Sequence, residues 1–317
     1  AFMMGLITAV FGGRPGMISG ATGAMAVVMV HLIQKGNEVG VGLAVPIENL
    51  GLQWLFITLL FVGLIQISAG IFRLGKFVRL IPHSVMMGFV NGLAIVIFLS
   101  QLGLFKETIN GEKQWMQGTD LWVMLGFVAL TMAIMYVLPK ITKKVPSALV
   151  AIIVVAAITI FGALDVSTVG SFIIDGGGNG LQGSLPTFQV QIFGLFDTLV
   201  GHWDLILSTA LLLAAVGLIE SLMTLNLIDD MTETRGSGNR ECVAQGAGNI
   251  LNSFFGGMGG CAMIGQSIIN IKSGGRGRLS GITAALALLF FILFGSSYIE
   301  QVPIAALVGV MFMVVLG

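Results

Sequence analysis

Charge is what this sequence has least of. Of 317 residues, 15 are Lys or Arg and 15 are Asp or Glu, 9% in all, while 56% are hydrophobic; an average soluble chain carries about 25% charged residues. The composition is that of an integral, multi-pass membrane protein in a lipid bilayer. The two signs cancel, so no overall field is directed at nucleic acid or acidic surfaces. Cysteine is scarcer still: Cys242 and Cys261 make neither a zinc framework nor a disulfide scaffold, and they read as small buried residues. His31, His83 and His202 are scattered, with no second His or carboxylate at ligand spacing, which argues against a metal site. Phosphate loop, nucleophile elbow and nucleotide fingerprint are all missing. An enzyme is therefore not expected, and no cofactor.

What the chain does have is an internal repeat. Phe11 to Val27, FGGRPGMISGATGAMAV, is copied by Phe255 to Gly281, FGGMGGCAMIGQSIINIKSGGRGRLSG. Phe11, Gly12, Gly13 and Gly16 fall on Phe255, Gly256, Gly257 and Gly260, and Thr22-Gly23 falls on Gln266-Ser267, at a constant offset of 244. In each copy a Gly-rich run leads into a segment carrying small or polar side chains, the pattern of a broken membrane helix. Such breaks at matching positions of two halves point to a transporter's mid-membrane binding site. Thr22 to Ile33 spans roughly 18 Å as a helix, about half of the ~30 Å hydrocarbon core.

Ala1 to Val10 reads as the end of a helix, and the chain is expected to be a fragment. Spans follow near Leu52–Phe72, Met86–Phe105, Leu121–Leu138, Ser147–Leu164, Leu205–Ile228, Leu279–Phe294 and Ile304–Leu316, with a shorter one at Val243–Phe255. Ile81-Pro82-His83 marks a kink or lead-in. If each broken segment counts as one crossing, Arg14, Arg73, Lys76, Arg79, Lys140, Lys143, Lys144, Arg235, Arg240, Lys272, Arg276 and Arg278 share one side, and Lys35, Lys106 and Lys113 the other. The positive-inside rule makes the first side cytoplasmic. Lys35 then follows the first half-helix outside and Lys272 the second inside, so the repeats are inverted. Residues 1–164 form the first repeat and 198–317 the second. Between them, 165–197, with Asp165, Asp175 and Asp197 but no Lys or Arg, is an external linker. The inner loop DDMTETRGSGNRE, Asp229 to Glu241, reads as an ordinary solvated connection.

Glu220 is the one carboxylate deep inside an uncharged span, LLLAAVGLIESLMTLNLI. An ionisable group there costs about 2.5–3.5 kcal/mol on insertion scales and by default implies function. Thr224, one turn on, shares its face. A proton on Glu220 and an anion nearby would favour each other's binding, which makes this carboxyl a candidate coupling residue; alternatively Glu220 and Thr224 would hold a sodium ion through oxygen. The structural alternative is a carboxyl bonded to a neighbouring helix. Ser19, Thr22, Gly23, Gly265, Gln266 and Ser267 set small, hydroxyl and amide groups beside the free N–H groups of the half-helix starts, a combination that binds anions. Close packing by small residues is the competing reading. Asn91 and Gln101 either line a cavity or satisfy a neighbour.

The first repeat, the run GAGNILNSFFGGMGGCAMIGQSIINIKSGGRGRLSG and the Glu220 helix resemble the SulP (solute carrier 26) anion permeases, over nearly the whole chain. The resemblance implies an all-α inverted repeat of seven plus seven segments, with core and gate domains and two half-helices meeting at mid-membrane. It implies a homodimer in a bacterial inner membrane and a small inorganic anion as substrate. Thr22 and its neighbours would belong to segment three, Glu220 and Thr224 to segment eight, and Gly265 to Ser267 to segment ten. Measured against that pattern, the first helix, most of the second, the last two and the cytoplasmic STAS domain are absent. Gln266 stands where many members have Arg. The sodium–bicarbonate branch also lacks that Arg and has Asp in place of Glu220, but its Thr near the sodium site corresponds to Ile264. The expectation is secondary active transport of sulfate, bicarbonate or a related anion by an elevator motion, coupled to H+ or Na+ or exchanging anions. A nucleobase permease of the same fold and an anion channel are the alternatives.

Overall fold

In a computed structural model, the described residues are 1–42, 47, 49–76, 83–109, 112–142, 145–162, 164, 166–175, 180, 181, 183, 185–189 and 201–316. Helices dominate: α1 (Phe2–Phe11), α2 (Gly23–Val41), α3 (Leu50–Ile71), α4 (His83–Leu102), α5 (Thr119–Ile141), α6 (Ser147–Phe161) and α7 (Val169–Asp175). After these come α8 (Trp203–Thr232), α9 (Gly238–Phe254), α10 (Ile264–Lys272), α11 (Arg278–Phe294), α12 (Ser296–Glu300) and α13 (Ile304–Leu316). The all-α expectation needs one amendment. Two short antiparallel ladders are present, β1 (Ser19–Gly20) with β4 (Cys261–Ala262), and β2 (Lys106–Ile109) with β3 (Glu112–Trp115). Helices α3, α5 and α8 are each long and apolar enough to cross a membrane.

The chain forms two compact units. One comprises Ala1–Met87 and Leu185–Phe290, the other Gly88–Ser184 and Phe291–Gly317. Both cut across the division at 165–197, since each takes elements from both halves of the sequence. In the first unit, α2, α3 and α8 pack around Met25, Met29, Trp54, Leu59 and Leu213, all without solvent exposure. Helices α3 and α8 are apolar over spans of mean hydropathy 2.1 and 2.2, whereas the end of α2 carries Lys35, Asn37 and Glu38. In the second unit, α5, α6 and α13 enclose Phe127, Val128, Val155, Ile304 and Val308.

Element order within the first unit repeats: helix, two-residue strand, helix start, helix (α1, β1, α2, α3; then α9, β4, α10, α11). The expected short first half-helix is corrected. Helix α2 has 19 residues, about 28 Å of rise, whereas α10 has nine, about 14 Å. The extra turns of α2 persist because Gly36 lets α3 approach: a Cβ there would stand 2.5 Å from the Cα of Gly51. Asn37 Oδ1 also accepts the Gly51 N–H at 2.9 Å. Lys35 consequently lies inside α2, 3.8 Å from Glu38, rather than following it. Arg79, Ile81, Pro82, Lys143, Lys144, Asp165 and Asp197 fall outside the described residues.

Candidate functional site

The two repeats meet at the β1–β4 ladder, where Ser19 pairs with Ala262 and Gly20 with Cys261. A two-residue ladder cannot hold itself together, so side chains from the surrounding helices brace it. Ser221 of α8 accepts the Ala262 N–H at 3.1 Å. Gln245 of α9 donates to Ser19 Oγ at 2.9 Å and to Glu241 Oε1 at 2.7 Å. Asn249, also on α9, grips both backbone groups of Gly260, its Oδ1 accepting the N–H at 2.9 Å and its Nδ2 donating to the C=O at 3.1 Å. Gly260 has to be glycine, because a Cβ would stand 2.5 Å from the Gly20 carbonyl oxygen.

From this crossing the two helix starts depart. Thr22 is the N-cap residue of α2 and Met263 that of α10, both with extended backbone and neither capping through its side chain. The leading N–H groups of each helix are therefore free of a side-chain acceptor, and they carry the positive end of the helix dipole. The caps are 241 residues apart, as are Gly20 and Cys261, whereas the Phe-Gly-Gly match runs at 244. The second extended stretch is three residues shorter, which corrects the alignment: Gln266-Ser267 sit one turn deeper in α10 than Thr22-Gly23 do in α2.

Each proposed binding residue now has a place. Ser19 is buried and braced by Gln245. Gly23 opens α2, half-buried. Gly265 and Gln266 are exposed on the first turn of α10, and a Cβ on Gly265 would meet nothing within 4 Å. Gln266 borders a cleft of about 590 Å³ that also touches Ser19, Gly20 and Ala21. Ser267 is fully buried, its hydroxyl accepting the Ile18 N–H at 3.0 Å, which ties α10 to β1.

Beneath the ladder, Glu220 is 8% exposed, and its Oε2 accepts the thiol of Cys261 at 2.6 Å. The same sulfur lies 3.2 Å from Thr22 Oγ1. Thr22 at the start of α2, Cys261 in β4 and Glu220 in α8 thus form one chain of contacts. Thr224 donates its proton to the Glu220 backbone carbonyl at 2.7 Å, leaving its oxygen lone pairs unused by that bond. Cys261, which by composition reads only as a small buried residue, is the middle member of this chain. Its place in the extended stretch just before α10 was the signal available. Asn91 is exposed and Gln101, half-buried, donates to Ser100; neither joins this constellation.

The inner loop is exposed at Glu233, Thr234 and Arg235, as expected of a solvated connection, but its ends act as braces: Asp229 is half-buried and Glu241 buried. Arg14 Nε lies 3.3 Å from Asp229 Oδ1 and its guanidinium donates to Thr232 and Thr234. Glu241, 1% exposed, accepts the Gly13 N–H at 2.8 Å. These bonds fasten the first broken segment to the α8–α9 connection.

The pattern of the sulfate permease family matches residues 1–317, the whole chain. The chain belongs to that family. Over its full length it is 44% identical to the Bacillus subtilis protein named "Putative sulfate transporter YbaR", of which it covers 59%. Identity to the bicarbonate transporter BicA of a Synechocystis strain is 33% across 99% of the chain and 54% of that protein. The chain therefore spans somewhat over half the length of these relatives. Among solved structures, the transmembrane domain of a cyanobacterial BicA superposes with a TM-score of 0.81 at 32% identity, covering all of this chain and 79% of that one. The structure of SLC26A9 shares the fold at a TM-score of 0.73 and 16% identity, covering 99% of this chain and 51% of that one. The sulfate permease family member described by these residues is an integral membrane protein, and the relatives named here are transporters.

Proposed function

We propose that the chain is part of a secondary active transporter of an inorganic anion of the sulfate or bicarbonate class in a bacterial inner membrane. The observation that carries this reading is the convergence of two uncapped helix starts on one ladder, with a buried carboxylate directly beneath. Backbone N–H groups at helix starts attract an anion without a fixed cationic side chain, which suits a segment that has Gln266 where many relatives have Arg. Thr22 and Gly23 on one side, and Gly265 and Gln266 on the other, would surround the anion, with Ser19 and Ser267 holding the segments together. Glu220 would couple transport to a cation, H+ directly or Na+ with Thr224 as a further ligand. The compact unit that carries both helix starts and Glu220 would move as one body, an elevator form of alternating access.

The test uses the full-length protein in proteoliposomes, with radiolabelled sulfate or bicarbonate supplied in the external medium. Concentrative uptake of one of them, saturable and abolished by Gly265→Leu, is the expected result. Accumulation of neither anion, or an ohmic anion current without a saturable rate, overturns it.

A further inference from the structure

A polar relay runs through the first unit behind Glu220 and ends on a donor without a partner. Asn249 is locked by Gly260, whose N–H must meet its oxygen and whose C=O must meet its nitrogen. Its Nδ2 also donates to Gln66 Oε1 at 2.8 Å. That bond fixes the orientation of the Gln66 amide, because only the oxygen can accept from Asn249. The Gln66 Nε2, two N–H donors on a side chain with no solvent exposure, is left without a partner among the described residues.

Its position is defined by Gly217 on α8. A Cβ at Gly217 would stand 2.8 Å from Gln66 Nε2, 3.6 Å from Met25 Sδ and 3.7 Å from Cys261 Cβ. Gly217 lies three residues before Glu220, and a helical side chain leans back over the turn that precedes its own Cα. The Glu220 side chain therefore extends toward the space that Gly217 leaves open. One of its oxygens takes the Cys261 thiol. Its second oxygen is not used by that bond.

We infer that Gln66 is a positioning residue for Glu220: with its amide oriented by the Asn249 relay, its N–H reaches the second carboxylate oxygen through one bridging water. The carboxylate is then held from two elements, β4 through Cys261 and α3 through Gln66, in the orientation that faces Thr22. Gly217 is the gap that admits this contact. No other titratable side chain competes from α3, which carries none. On the remaining elements packed against α8, Glu241 is engaged by Gly13 and Gln245, Cys242 packs beside Leu222, and His31, Lys35, Glu38 and Lys272 lie two or more turns from the helix starts that adjoin Glu220. The inference rests on Glu220 being the coupling residue only for its consequence in transport, not for the contact itself.

The contact is read by solid-state NMR of the full-length protein in liposomes, with glutamate labelled at the side-chain carboxyl carbon. The Glu220 resonance is the one missing in Glu220→Gln. It shifts in Gln66→Leu, which removes the donor, and in Gly217→Ala, which drives a methyl into the amide; the second variant serves if the first does not fold. Sulfate uptake gives the functional reading: Gln66→Leu lowers concentrative uptake about tenfold or more, while KM for sulfate exchange stays within about twofold. A Glu220 resonance unmoved in the folded variants overturns the inference even where Glu220 couples transport. Concentrative uptake unaffected by Glu220→Gln removes the coupling role instead, and leaves the NMR result to stand by itself.

Discussion

Gly20 and Cys261 hydrogen-bond as partners in one ladder and are also each other's counterparts in the two repeats. Equivalent residues pair with each other only when a local two-fold axis passes between them, so the antiparallel ladder is where the inversion of the repeat is built. The consequence for the site is geometric. Anything that moves β4 moves the start of α10, the thiol on Glu220 and, across the axis, the start of α2.

Cys261 should accordingly behave as a donor rather than as a filler. Cys261→Ser retains an O–H that can reach the carboxylate, while Cys261→Val stays apolar, one heavy atom larger, and loses the donor. A hydrogen bond to a charged group contributes about 1.5–3 kcal/mol. Valine is therefore expected to reduce anion uptake by about tenfold or more and serine by far less, measured as initial rates in proteoliposomes. Equal activity of the two variants would show that the sulfur is only packing.

Much of the helical frame is legible in the sequence because hydrophobic length is a local property: the span expected at Leu52–Phe72 is α3, Leu50–Ile71. The ladder is not legible. Ser19-Gly20 and Cys261-Ala262 are too short to show a strand's period, and each finds its partner some 240 residues away. The repeat announced itself through Phe-Gly-Gly, but the break after it differs in length between copies, so a constant offset misplaced Gln266-Ser267 by one turn. Glu220 stood out as a charge among apolar neighbours. Gln66 and Asn249 carry no charge and do not stand out in the same way, although an amide in so apolar a helix as α3 is itself a signal of an internal partner.

Anion binding should depend more on backbone access than on hydroxyls. Thr22→Ala removes one donor and is expected to weaken binding by about 1.5–3 kcal/mol at most. Gly265 faces open space, so a leucine there folds without a clash and fills the approach to the α10 start. Isothermal titration with sulfate and bicarbonate checks both. Undiminished affinity in Gly265→Leu would move the site away from this helix start.

The brace on the ladder should matter for stability. Asn249→Leu leaves the Gly260 N–H, the Gly260 C=O and the Gln66 oxygen without their partner, and each buried group left unsatisfied costs about 1–3 kcal/mol. Several kcal/mol of destabilisation is a large fraction of what holds a domain folded. Thermal unfolding in detergent should show a clear drop in Tm, larger than for a substitution at the exposed Ser68 on α3. A Tm equal to that of the native protein would mean that the ladder is held by the helices alone.

Glu220 carries the most consequential prediction. The carboxylate touches β4 through Cys261, and through that sulfur the start of α2, so a change in its charge is felt where the anion would bind. A proton or sodium ion on Glu220 removes a repulsion from that anion, and by linkage the anion favours the cation to the same degree. Glu220→Gln mimics the protonated form permanently. Under proton coupling it should abolish uptake driven by a pH gradient yet retain exchange of anion for anion, since the neutral state can still bind and move. Under sodium coupling the native protein should require sodium at fixed pH, and the glutamine variant should lose that requirement together with accumulation. The two outcomes separate in one set of flux measurements at several pH values with and without sodium. If folded Glu220→Gln protein still accumulates anion with an unchanged cation dependence, the carboxyl is only an anchor for the Cys261 thiol, and the driving force must enter elsewhere.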